Sequence, residues 1–150
     1  MSDLKTRLRN DLTGAIRARD ELTTATLRMA LAAVTTEEVG GSTARELSDD
    51  EVLKVLAQEA KKRREAAEAF RAGNRPELAE RERAEGEVLD RYLPRQLSDE
   101  DVAELVRAAI EETGATGMPQ MGAVMKAAQA KASGRADGKR LSTEVRRQLS

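Results

Sequence analysis

The chain has 150 residues, with 26 Lys and Arg against 27 Asp and Glu, one Phe, one Tyr, and no Trp, Cys or His. Without cysteine there are no disulfides, zinc–thiolate sites or thiol nucleophiles, and without histidine the commonest general base and metal ligand are missing. A core this poor in aromatics must be built from Leu, Val, Ile, Met and Ala, and the abundance of Ala, Glu, Arg and Leu favours helix, so composition predicts an all-α fold.

Leu4, Leu8, Leu12 and Ile16 recur every four residues behind Ser2, which predicts a first helix with one apolar stripe, running to about Ala18. A second helix begins near Asp20, carries Leu27, Leu31 and Val34, and is expected to stop in left-handed geometry at Gly40-Gly41. Ser48-Asp49-Asp50-Glu51 reads as a capping box opening a long third helix that ends at Gly73. Its stripe of Val52, Val55, Leu56, Glu59, Arg63, Ala66 and Phe70 is interrupted by charge. Pro76 opens a fourth helix through Leu78, Leu89 and Tyr92 to Pro94. Here Glu82 and Glu85 fall where an amphipathic helix would place Leu. They call for cationic partners, and Arg28, Lys62 and Arg63 are the candidates for a partly buried ion-pair cluster.

Pro94 to Leu97 marks a boundary, giving an N-terminal four-helix part over 1–95 and a small three-helix tail over 96–150. Ser98-Asp99-Glu100-Asp101 is read as a second box before a helix bearing Val102, Leu105, Val106, Ala109 and Ile110. A helix with Met121, Val124, Met125 and Ala128 on one face is closed by Gly134, and Leu141, Val145 and Leu149 space out a terminal helix. No run approaches the roughly 18 apolar residues of a membrane span. The start, Met1 to Lys5, lacks an apolar signal region, so the expectation is a cytoplasmic protein with no membrane partner.

The search for chemistry returns no phosphate-cradling Gly-x-x-x-x-Gly-Lys-Ser/Thr loop, no Gly-x-Ser-x-Gly elbow and no dinucleotide turn. The acidic triplets 49–51 and 99–101 sit in first turns, where carboxylates complement the helix dipole, so neither a metal nor a cofactor is expected. Glu82 with Glu85 could serve as an acid/base pair, but structural ion pairs perturb carboxylates equally, and no catalytic residue is assigned. Charge gives a clearer signal. Residues 120–150 hold seven Lys or Arg (126, 131, 135, 139, 140, 146, 147) against Asp137 and Glu144, a local charge of +5. Five of the seven lie between Arg135 and Arg147, around the turn Gly134-Arg135-Ala136-Asp137-Gly138. Lys126, Lys131, Arg135, Lys139, Arg140 and Arg146 are therefore the candidate contacts to RNA phosphates, helped by turn amides and the following helix N-terminus. With Phe70 and Tyr92 elsewhere there is no platform for unpaired bases, so contact would follow the shape and backbone of structured RNA. A plain solvated cationic face remains the alternative.

Leu27-Arg28-Met29, Lys61-Lys62-Arg63-Arg64-Glu65-Ala66, Glu82 with Glu85, Tyr92-Leu93-Pro94-Arg95-Gln96-Leu97-Ser98, Met121-Gly122-x-Val124-Met125-Lys126 and Gly134 to Gly138 occur in this order. Together they resemble the GatB/YqeY family over almost the whole chain. The likeness is to free-standing YqeY-like proteins, and to the helical and tail domains of the B subunit of the tRNA-dependent amidotransferase, which amidates Glu-tRNA(Gln) or Asp-tRNA(Asn). The resemblance implies a tail that contacts the outer body of tRNA, carried over onto Met121, Gly122, Met125, Lys126, Gly134, Asp137 and Gly138. It carries over no catalysis, since the kinase and transamidation machinery has no counterpart here. Three functions follow as expectations. The first is a non-catalytic tRNA-binding module. The second is a protein-interaction adaptor for an amidotransferase, a synthetase or the ribosome. The third is a component of a glutamine-dependent carbon–nitrogen ligase.

Overall fold

The computed structural model describes residues 2–150, and among them every regular element is helical: seven α-helices and one 3-10 turn. They fall into two compact units, one ending at Leu93 and the other spanning Pro94–Ser150.

The first unit holds α1 (Asp3–Ala18), α2 (Glu21–Val39), α3 (Asp49–Ala72) and α4 (Pro76–Asp90). Polar caps start the first three. Ser2 Oγ accepts from the Lys5 amide, Asp20 from that of Thr23, and Ser48 from that of Glu51, whose carboxylate returns to the Ser48 amide. The core is aliphatic: Leu8, Leu27, Ala30, Val34, Leu47, Val52, Leu56, Ala60, Val88 and Leu89. Lys5 is buried as well, its ammonium 2.8 Å from Glu38, which also accepts from the Leu47 amide. Glu38 is held below the usual carboxylate range, first by the Lys5 hydrogen bond.

Three ends differ from expectation. Gly40 is right-handed (φ −75°), so α2 ends without the left-handed cap expected of its glycines. At the α3–α4 turn the left-handed residue is Asn74 (φ 59°), one past Gly73, and the Arg75 amide closes onto the Phe70 carbonyl. α4 stops at Asp90 rather than running to Pro94, the amides of Tyr92 and Leu93 closing tighter turns onto the Leu89 and Asp90 carbonyls. Tyr92 follows in a turn, its hydroxyl donating to Asp11 at 2.5 Å and its ring lying 4.7 Å under the Arg7 guanidinium.

The second unit holds α5 (Asp99–Thr113), a 3-10 turn at Met118–Gln120, α6 (Met121–Ala132) and α7 (Gly138–Leu149). Its core is Val102, Val106, Ala109, Val124, Ala128, Ala132, Ala136, Leu141 and Val145. The second box is only half formed. Ser98 caps the Asp101 amide, but the shorter Asp101 side chain makes no return bond. Gly114 (φ 68°) ends α5 in left-handed geometry.

Candidate nucleic-acid interface

The basic residues of the tail are placed by the turn between α6 and α7. Ser133 (φ 50°) and Gly134 (φ 79°) are both left-handed, so the C-cap is Ser133, with the glycine one residue beyond. Ala136 then plugs into the core. Asp137 is the N-cap of α7, accepting from the Arg140 amide at 2.8 Å, and Gly138 is already helical. Asp137-Gly138 is thus a helix start rather than a turn. Three of the amides around this bend already have partners: Arg135 N donates to Ala132 O, while Arg140 and Leu141 N donate to Asp137.

The six candidate cations divide into two groups. Lys131 pairs with Glu112 at 2.8 Å. Arg135 folds back on the end of α6, donating to the carbonyls of Ala132 (3.0 Å) and Lys131 (3.1 Å), a favourable place for a cation at a helix C-terminus. Arg140 donates to Leu97 O at 2.8 Å and to Asp99 at 3.0 Å. Lys126, Lys139 and Arg146 are exposed, and among the described residues their side chains make no hydrogen bond or ion pair. Lys139 and Arg146 stand seven residues apart on α7, about 10 Å along one face. The buried partners of this helix are Leu141 and Val145.

Arg147, the seventh cation of the segment, is engaged by Glu144. The Arg147 and Gln148 hydrogen bonds hold Glu144 below the usual carboxylate range. The +5 of residues 120–150 is also answered within the same unit. Residues 96–119 carry six acids (Asp99, Glu100, Asp101, Glu104, Glu111, Glu112) against Arg107 alone, a charge of −5. A depression of about 430 Å³ at the α5–α7 junction is lined by both signs, Asp99 and Glu144 with Lys139 and Arg140, and so favours neither an anion nor a cation. Arg95, outside the expected set, is a further exposed cation with no such partner among the described residues. Its position within the boundary segment hid it from a reading based on helix faces.

In the first unit the ion-pair cluster centres on Arg63. Its guanidinium lies 3.4 Å from Glu59, 3.7 Å from Glu82 and 3.5 Å from Glu85, and it abuts the Met29 sulfur. Arg81 reaches Glu85 at 3.2 Å, and Lys62 reaches Glu59 at 3.0 Å from its solvent side. Two expected members are displaced. Lys62 meets neither Glu82 nor Glu85, being about 100° round the helix from Arg63. Arg28 is exposed and outside the cluster, since α2 turns its neighbours Leu27 and Ala30 inward. Glu59, buried in the interrupted stripe of α3, is the member that sequence reasoning did not name as a partner. Among the described residues no group of three acidic side chains is arranged to hold a metal ion, and no helix is long and apolar enough to cross a membrane.

The family described as Yqey-like protein matches residues 5–149. An uncharacterised protein of the fission yeast Schizosaccharomyces pombe is 31% identical over 97 residues, covering 65% of this chain and 77% of the yeast protein.

Proposed function

The chain belongs to the YqeY-like family, and from that premise we propose that its C-terminal unit binds structured RNA, tRNA above all, through phosphate contacts without chemistry of its own. The observation that carries this reading is the exposure of Lys126, Lys139 and Arg146 with no acid engaging them, while Lys131, Arg135, Arg140 and Arg147 of the same segment are tied down. Arg135, Lys131 and Arg140 act as scaffold that shapes the turn; the free cations supply the charge. The candidate surface is therefore smaller than the +5 segment suggested, and its binding is electrostatic.

Filter binding of the purified protein to tRNA over a salt series tests it. Three phosphate contacts give a slope of log K against log salt of about −2 to −3. Replacing Lys126, Lys139 and Arg146 together by Ala flattens that slope and weakens binding several-fold, while Arg107→Ala, on the acidic helix, leaves both unchanged. Equal affinity of the triple variant and the parent would defeat the proposal.

A further inference from the structure

Given RNA binding by the C-terminal unit, the reading on which this rests, we propose that Asp99 is an internal competitor for RNA phosphate. Its carboxylate holds Arg140 in reserve beside Lys139, and so sets how tightly the unit grips its partner.

Asp99 is the first residue of α5 but does not cap it, because Ser98 Oγ already takes the Asp101 amide. A first-turn carboxylate is favoured by the helix dipole whichever way it points. Glu100 and Asp101 share that turn, are exposed, and make no ion pair among the described residues. Asp99 differs in reaching α7. Its carboxylate meets Arg140 Nη2 at 3.0 Å while the side chain keeps 96% of its surface open.

The place it occupies suits a phosphate. Asp99 lines the depression of about 430 Å³ between α5 and α7 together with Lys139, Arg140, Thr143 and Glu144. Lys139 is unpaired, Thr143 contributes a hydroxyl, and a guanidinium receives a carboxylate or a phosphate with the same forked geometry. The other acid, Glu144, is already engaged by Arg147 and Gln148. The sign of the depression therefore turns on Asp99. With it, two cations face two acids; without its charge, they face one acid that Arg147 neutralises.

The exchange of carboxylate for phosphate costs little. An exposed ion pair is weak and screened by salt. Arg140 also donates to the Leu97 carbonyl, so it stays tethered to the start of the unit when Asp99 lets go. Both of these bonds leave from Nη2, and the other guanidinium N–H groups remain for the phosphate.

Asp99→Asn isolates the charge, since the amide still offers Arg140 an oxygen. Filter binding to tRNA across a salt series compares the parent with Asp99→Asn, Glu100→Gln and Asp101→Asn, each of which removes one negative charge from the same helical turn. Circular dichroism melts verify that all four are folded. Asp99→Asn is expected to tighten binding about fivefold or more, as for relief of one like-charge contact, and to steepen the slope of log K against log salt by about 0.7 to 0.9, one further phosphate. Glu100→Gln and Asp101→Asn change affinity less than about twofold near 0.15 M salt, where screening mutes exposed charges, and leave the slope unchanged. An equal gain from all three substitutions, or no gain from Asp99→Asn, overturns the competitor while RNA binding by the parent stands. Failure of both the parent and Asp99→Asn to bind tRNA defeats the RNA reading itself, and the competitor with it.

Discussion

Arg63 and Glu82 face each other between α3 and α4 with Nε and Oε2 3.7 Å apart, and neither of these buried atoms has a hydrogen-bond partner. The contact is an ion pair held short of a hydrogen bond, while Glu59 and Glu85 make the closer approaches to Arg63. Arg63→Met leaves the buried Glu59 and the partly buried Glu82 and Glu85 with only the peripheral Lys62 and Arg81, and should cost about 2–3 kcal/mol, below the 3–5 of a fully buried pair because the cluster is partly solvated. Glu82→Gln should cost less than about 1 kcal/mol. Urea denaturation followed by circular dichroism ranks the two, and an equal cost would show that Arg63 is not the hub.

Acid should loosen the start of α3. The Arg45 hydrogen bond, followed by the Ser48 amide, lowers the Glu51 carboxyl to about 2. A carboxylate depressed in the folded state contributes stability that is present above its unfolded value and lost as pH falls toward the folded one. Between about pH 4.5 and 2 the parent protein should therefore lose more stability than Glu51→Gln. Parallel slopes for the two proteins over that window would contradict this.

The two glycines of the tail turn should respond oppositely to alanine. Gly134 sits at φ 79°, so a side chain there is strained by about 1 kcal/mol even though the space is open. Gly138 lies in the first turn of α7 with no atom within 4 Å of an added Cβ, and alanine there should stabilise by about 0.5 kcal/mol. Thermal melts of both variants check the signs.

Tyr92 is the one tyrosine of the chain, so its phenol can be titrated by ultraviolet absorbance without interference. Burial first, and then the bond to Asp11, push it above its ordinary value. The folded state thus keeps this proton where the unfolded chain releases it, and stability should fall as pH rises past about 10. Tyr92→Phe should remove that alkaline dependence, at a cost near 1 kcal/mol at neutral pH.

The helix starts were legible because Ser2, Asp20, Ser48, Ser98 and Pro76 act locally, through a cap or a fixed φ. The ends were less so. Arg19, Asn74 and Ser133 take left-handed geometry that nothing in their type required, beside glycines at 73 and 134 that seemed to claim the role. The first stripe shows a subtler limit. A strict four-residue step advances 400°, so Leu4, Leu8, Leu12 and Ile16 drift about 40° per step, and Ile16 ends up exposed while Lys5 and Ala15 turn inward. For the candidate surface, counting charge along residues 120–150 gathered the cations without regard to their partners. It could not foresee that Glu112 and Asp99, 19 and 41 positions away from Lys131 and Arg140, would claim two of them.

The Leu97 amide donates to the Arg135 carbonyl, the Leu97 carbonyl receives Arg140, and Gln96 reaches Gly134 O. The first residues of the tail are thereby stitched to the bend before its last helix. A tug transmitted along the backbone past Pro94 would be felt first at the base of α7, where Lys139 stands, so tension in the connecting segment and the posture of that lysine are mechanically one variable.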